Sequence, residues 1–194
     1  GFVIEEILSS YFFDEHQCVL DVGAGKGRFA SEMAVHAPHL KVKLFDLPPV
    51  LELAKANVQQ RGLSDRMSFH PGSFLHDDLP TGADLITLVR VAHDHPDDVV
   101  RQLLQKIHAA LPLGGVLLLA EPMAQALSES YAGPAQSDAY FHFYLLAMGA
   151  GRLRTPEELM HLMAEAGFGQ IEHLPNAMPI HAQLIVGRKS KCLP

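Results

Sequence analysis

The chain has 194 residues, 48% of them apolar and 19% charged, which suits one globular domain with a full core and not a disordered protein. A net charge of −7 argues against a nucleic-acid-binding surface, because phosphate contacts need clustered Lys and Arg. No apolar run is long enough to span a bilayer, no basic and apolar leader opens the chain, and two cysteines, Cys18 and Cys192, make no disulfide framework and point to reduced thiols in a cytoplasmic setting.

In chain order, residues 3–13 are apolar at helical spacing. Residues 18–22 (C-V-L-D-V) read as a short buried strand ending in glycines, and 27–35 as a helix. Residues 41–45 alternate as a strand that stops at Asp46, and 50–61 form an amphipathic helix with Gly62 as its C-terminal cap. Strands follow at 67–70 and 83–89. A long amphipathic helix covers 96–111, closed by Pro112 and Gly114-Gly115, and 116–121 is a further strand. A helical stretch covers 137–148. Another helix, 155–166, opens on T-P-E-E, a capping-box pattern with Pro at the first helical position and Glu at the third. Residues 170–174 and 182–186 finish as strands.

This alternation predicts an α/β fold: a mostly parallel sheet with helices on both faces. Ligands in such folds sit at the C-terminal ends of the strands, near the reversal of strand order. That directs attention to residues 21–27, 46, 72–74, 90–95 and 121–123, all of which follow strands.

The first of these is L-D-V-G-A-G-K-G, residues 20–27, with glycines at 23, 25 and 27. They let a strand turn tightly into a helix and let a ligand approach bare backbone. A dinucleotide fingerprint would need its third glycine where Arg28 stands, and a P-loop would need Ser or Thr where Gly27 follows Lys26. Asp46 closes the second strand, 21 positions after Gly25. A carboxylate there can accept from both hydroxyls of a ribose. With no phosphate binder in the pattern, an adenosine without phosphates fits better than a dinucleotide.

Residues 91–98 (V-A-H-D-H-P-D-D) carry two histidines and three aspartates within six positions. The cluster reads as a metal site, as a general base, or as a helix start with Pro96 and two acids in the first turn. A binuclear hydrolase motif normally ends in His where this chain has Asp98, and the remaining histidines show no ligand spacing. The two-part reading is preferred, with Ala92-His93 at the mouth of the strand over 83–89, presenting the base, and Pro96-Asp97-Asp98 opening a helix. Asp94 is then expected to cap that helix or brace the loop.

D-V-G-A-G-K-G at 21–27, F-D-L-P at 45–48, P-G-S-F at 71–74 and H-D-H at 93–95 together resemble the S-adenosylmethionine-dependent O-methyltransferases related to plant caffeate and flavonoid O-methyltransferases. The tail matches as well, with L-L-L-A-E-P at 117–122, G-R-L-R-T at 151–155 and E-A-G-F at 165–168. Within that family, A-E-P-M-A at 120–124 and D-A-Y-F-H-F-Y-L-L-A-M-G at 138–149 look most like the bacterial carotenoid enzymes that methylate hydroxyneurosporene and demethylspheroidene.

The resemblance implies a Rossmann-like class I methyltransferase fold, with a seven-stranded, mostly parallel sheet whose last strand is antiparallel. It implies S-adenosyl-L-methionine as cofactor. Asp21, Gly23 and Gly25 would surround its methionine end, Asp46 its ribose, and Leu47, Ser73 and Phe74 its adenine, with Arg90 and His95 also lining the pocket. His93 takes the family's base position and Glu121 that of the carboxylate orienting it. Plant relatives carry a second carboxylate where this chain has Leu153, and many relatives an Asp where it has Ser73. Tyr140, Phe141, Tyr144 and Met148 would line the acceptor pocket, or simply pack in the core.

The expected acceptor is a small hydrophobic hydroxylated molecule, a carotenoid or, alternatively, an aromatic polyketide or phenol. A carotenoid acceptor implies work at the inner face of the membrane. The chain opens on Gly1-Phe2-Val3-Ile4 without Met, and the helical N-terminal domain through which relatives form homodimers is not in it. Residues 1–194 are therefore expected to be the catalytic domain alone.

Overall fold

A computed structural model describes residues 2–124, 151–175 and 182–190. The elements are α1 (Phe2–Ser10), β1 (Cys18–Val22), α2 (Arg28–His36), β2 (Lys41–Asp46), α3 (Pro48–Gln60), β3 (Met67–Pro71), β4 (Leu85–Val89), α4 (Asp97–Ala110), β5 (Val116–Glu121), α5 (Pro156–Glu165), β6 (Gly169–Leu174) and β7 (Gln183–Arg188), with a single 3-10 turn at Ala92–Asp94 between β4 and α4. The seven strands form one sheet in the order β3-β2-β1-β4-β5-β7-β6. Strands β1 to β5 pair in parallel, and β7 runs antiparallel to both β5 and β6. The seven-stranded arrangement with an antiparallel last strand is as expected, with one addition: β7 inserts between β5 and β6, so β6 points the same way as the parallel strands.

Alternate residues of the central strands face opposite layers. In β5, Leu117 and Leu119 join Leu103, Leu104 and Ile107 of α4 and Leu159, Leu162 and Met163 of α5. Val116, Leu118 and Ala120 join Ile7 of α1, Met33 of α2 and Leu51 of α3 on the other face. Both faces of β5 are buried along its whole length, which is why V-L-L-L-A reads as a continuous apolar run rather than an alternating one.

Local rules set several boundaries. The capping box forms as read: Thr155 Oγ1 accepts from Glu158 N at 3.3 Å while Thr155 N donates to Glu158 Oε2 at 2.9 Å. Gly62, with φ +68, follows the last turn of α3. The helix expected over 3–13 stops at Ser10, because the phenol of Tyr11 turns aside to His16 Nε2 at 2.7 Å and Phe13 packs in the core. The strand expected from 83 begins at Leu85, since the Asp84 carboxylate is engaged with the backbone N–H groups of Gln17 and Cys18. Pro96 is the N-cap of α4 and not its first helical residue, and Asp94 does not cap that helix. The helix expected over 137–148 lies outside the described residues.

Candidate active site

Strand order reverses between β1 and β4. From β1 the chain steps outward to β2 and β3, then crosses back to place β4 on the other side. Loops leaving the C-terminal ends of β1 and β4 therefore diverge and open a crevice.

The glycine loop leaves β1. Gly23 N and Ala24 N both donate to Phe45 O, at 2.9 and 3.3 Å, seating the loop on the end of β2. Gly23 has φ +71, and a Cβ there would lie 2.6 Å from Val91 Cγ2. A side chain would strain this backbone and push away the loop after β4. Over Gly25, with φ +56, the space where a Cβ would stand is open to 4 Å.

Asp46 ends β2 within reach of this loop. Its Oδ2 accepts from Gly25 N and its Oδ1 from Leu47 N, both at 2.7 Å. Those bonds orient the carboxylate and leave each oxygen a further acceptor position. Leu47 beside it is 48% exposed, an apolar surface at the mouth of the crevice.

Asp21 stands directly opposite Thr87 in the β1–β4 register. The Thr87 hydroxyl donates to Asp21 Oδ1 at 2.8 Å. Burial pushes the Asp21 carboxyl up to about 7; the Thr87 bond works against this shift and the negative charge of Asp46 adds to it. No cation among the described residues offsets it.

The loop after β3 is braced from two sides. Asp77 Oδ2 accepts from Ser73 N at 2.8 Å, and Ser73 Oγ accepts from Leu75 N at 3.3 Å. Lys106 of α4 donates to the carbonyls of Phe74 and Asp77, both at 2.8 Å. Phe74 then meets His95 edge to face, with ring centroids 5.2 Å apart, which joins the loops after β3 and β4. Burial lowers the His95 pKa and favours a neutral ring. Arg90, exposed at the end of β4, holds φ +56, a sparsely populated conformation for a residue with a side chain.

His93 lies on the 3-10 turn that follows and is 6% exposed. Its Nδ1 is 2.7 Å from Glu121 Oε2. Glu121, 1% exposed at the end of β5, also accepts from the backbone N–H of Val91 at 2.8 Å, Ala92 at 2.7 Å and His93 at 3.3 Å. With four donors converging on it, the buried carboxylate is fully satisfied as an anion. His93 Nε2 lies 3.3 Å from Asp94 Oδ1.

The H-D-H-P-D cluster thus divides among separate partners: His93 turns to Glu121, His95 to Phe74 and Asp97 to Arg152 and Arg154. Among the described residues, no three His, Cys, Asp or Glu side chains gather as a ligand set.

The C-terminal sheet edge therefore brings together Asp21, Gly23, Gly25, Asp46 and Leu47; Ser73, Phe74 and His95; and Arg90, His93 and Glu121. Tyr140, Phe141, Tyr144 and Met148 lie outside the described residues. Sequence reasoning missed Thr87, Asp77, Lys106 and Arg154. Thr87 left a signal, the lone polar residue in L-I-T-L-V, and Arg154 stood in the quoted G-R-L-R-T.

Comparison with known proteins agrees with this architecture. The O-methyltransferase domain family matches residues 1–169. Demethylspheroidene O-methyltransferase of Rhodobacter capsulatus is 44% identical over 167 residues, covering 86% of this chain and 40% of the relative. The enzyme of that name from Cereibacter sphaeroides is 37% identical over 185 residues, covering 95% and 48%. The chain thus spans less than half the length of these relatives. The crystal structure of human N-acetylserotonin methyltransferase in complex with S-adenosylmethionine superposes with a TM-score of 0.83 at 28% identity, covering 97% of this chain and 52% of that one. The glycine loop, the carboxylate ending β2 and the match along most of the chain lead to one conclusion: the chain belongs to the O-methyltransferase domain family.

Proposed function

We propose that this chain forms the catalytic domain of an S-adenosylmethionine-dependent O-methyltransferase acting on a hydroxylated carotenoid. The observation that carries the reading is the buried His93–Glu121 pair, 2.7 Å apart, at the sheet edge that also bears the glycine loop and Asp46. The residues fit the cofactor. Open backbone over Gly25 leaves room for it, Asp46 retains acceptor positions for a ribose diol, and the buried Asp21 carboxyl favours a cationic neighbour. Gly23, Gly25 and Asp21 would hold the methionine end, Asp46 the ribose, Leu47, Ser73 and Phe74 the adenine, with Arg90 and His95 closing the pocket. When bound, the cofactor supplies an electrophilic methyl group on a sulfonium.

The chain's own residues handle the proton. Glu121 fixes His93 as the Nδ1–H tautomer, so Nε2 carries the lone pair that takes the acceptor's hydroxyl proton. The Asp94 carboxylate stands where it stabilises the imidazolium that results. A tertiary alcohol is too weak an acid to ionise beforehand, so proton removal accompanies methyl transfer. Leu153, buried where plant relatives have a second carboxylate, leaves the orienting role to Glu121.

Similarity to two demethylspheroidene O-methyltransferases supports a carotenoid acceptor. A substrate of that kind calls for peripheral work at a membrane face; among the described residues no helix is long and apolar enough to cross a membrane. We further propose that the active protein is a homodimer whose helical N-terminal domain closes the pocket. Methylation of demethylspheroidene with labelled cofactor, run beside simple phenols, tests the acceptor: turnover of phenols alone would replace it. His93→Ala should lower kcat by about 100-fold or more and leave cofactor binding intact in calorimetry. Near-normal turnover would remove His93 as the base.

A further inference from the structure

We propose that Arg154 is a positioning residue for the base, holding the turn that carries His93 from the side opposite Glu121. The inference rests on His93 acting in methyl transfer. The turn Ala92–Asp94 is a single 3-10 turn whose own hydrogen bonds are long: Asp94 N to Val91 O and His95 N to Ala92 O are both 3.2 Å. A turn this short does not by itself fix a side chain. Its N–H side is delivered to Glu121, and its carbonyl side is delivered to Arg154. Nη1 donates to Ala92 O at 2.9 Å and Nη2 to His95 O at 2.8 Å, so one guanidinium brackets the residues on either side of His93 and Asp94. Nε donates to Asp97 Oδ1 at 2.8 Å, tying the same group to the first turn of α4.

Arg154 is 2% exposed, and its planar fork is directed at the turn and the start of the helix behind it. It is itself anchored, since Arg154 forms a bridge with Met123, and Arg154 O accepts from Ala124 N at 3.0 Å, just beyond Glu121. Asp97 is shared: Arg152 donates to its two oxygens at 3.2 and 3.0 Å and reaches Glu158 through Nη1. The turn is thus held between a buried anion on its N–H side and a buried cation on its carbonyl side. The planar fork of an arginine presents donors to both carbonyls and the carboxylate from separate nitrogens in fixed directions; a lysine gathers its three donors on one nitrogen and cannot span the same positions.

The test is Arg154→Lys, which keeps the charge and loses the fork. The expected result is a fall in kcat of about 10- to 100-fold with demethylspheroidene as acceptor, an altered pH profile of kcat, and S-adenosylmethionine affinity within about twofold of wild type by calorimetry. An activity-independent readout accompanies it. The Nδ1–H proton of His93, bonded to Glu121, should give a downfield NMR signal that His93→Ala removes and Arg154→Lys broadens or shifts. Arg101→Ala, which breaks the exposed pair with Glu165, should leave both unchanged. If Arg154→Lys does not fold, Asp97→Asn decides, with a smaller fall in kcat and a shifted signal expected. Wild-type kcat and an unchanged His93 signal in the deciding variant would overturn the proposal. A wild-type protein that binds no S-adenosylmethionine would instead overturn the methyltransferase reading, with the His93 signal still reporting on Arg154.

Discussion

At the scale of single residues, much of the candidate site is held in shape by groups outside the set that the sequence singles out. Lys106 shows this most simply. Its ammonium joins two carbonyls of the 73–77 loop, which carries Ser73 and Phe74. Hydrogen bonds to a charged group are among the stronger ones in proteins, and nothing else from α4 reaches that loop by a hydrogen bond among the described residues. Lys106→Met keeps the aliphatic stem and removes both bonds. Cofactor binding should weaken by roughly three- to tenfold, with kcat at saturating cofactor unchanged. Titration calorimetry and steady-state kinetics check the two halves. Unaltered affinity would show that the loop holds its shape without α4. Ser73 gains a different meaning from this loop: its hydroxyl accepts within its own turn, and the carboxylate beside its backbone is that of Asp77.

At the scale of elements, α5 matters because it carries the chain away from Arg154. Its start is defined by a reciprocal capping box, with Pro156 at the first helical position and Glu157 and Glu158 in the first turn. Pro needs no N–H there, and acids suit the positive end of the helix dipole. Thr155→Ala should cost about 1 kcal/mol and lower the melting temperature by about 2–4 °C. A smaller second effect on kcat is expected, because Thr155 adjoins Arg154 and Glu158 also anchors Arg152. Thermal denaturation followed by circular dichroism measures the first; an unchanged melting temperature would mean that Pro156 and the buried face of α5 suffice to start the helix. The acids opening α4 differ in role. Asp98 is exposed, whereas Asp97 is held by two arginines well below the usual carboxylate range, at about 2, chiefly through the Arg152 hydrogen bond.

At the scale of the whole molecule, burial and pairing give stability a pH dependence with opposing parts. Asp97, depressed from 3.8 to about 2, adds stability above its unfolded pKa that is lost as pH falls through about 2. His16, His70, His95 and His108 are lowered mainly by burial, so they too favour the folded state at higher pH and lose that contribution in acid. Asp21 works the other way. Raised from 3.8 to about 7, it contributes fully below 3.8, and that contribution is lost as pH rises to about 7. A shift of this size corresponds to about 4 kcal/mol. Asp21→Asn should therefore be more stable than wild type without cofactor at pH 8, and the advantage should shrink towards pH 4. Melting temperatures of both proteins across that range test this. A constant difference would mean that Asp21 is ionised throughout. The same substitution should weaken S-adenosylmethionine binding, since it removes the anion that favours a cationic ligand.

What was legible in the sequence was local. Strands β1 and β5, the T-P-E-E cap, the glycine turn and the carboxylate ending β2 each follow from residues within a few positions of one another, because torsional preference, side-chain periodicity and capping act over that range. His93 and Glu121, 28 positions apart, were paired through family resemblance and not by any spacing rule. Asp97 read as a helix-dipole acid because its arginine partners lie 55 and 57 positions away, and Thr87 read as a strand residue because Asp21 lies 66 positions away. Such pairings depend on strand order and register, which are set when the sheet closes its two apolar layers. Among the described residues, the sequence by itself determined which elements form and at which end of the sheet the candidate site lies. Only the tertiary structure decided which buried charge meets which partner, since a charge in the interior is stable only beside the group that the packed sheet brings to it.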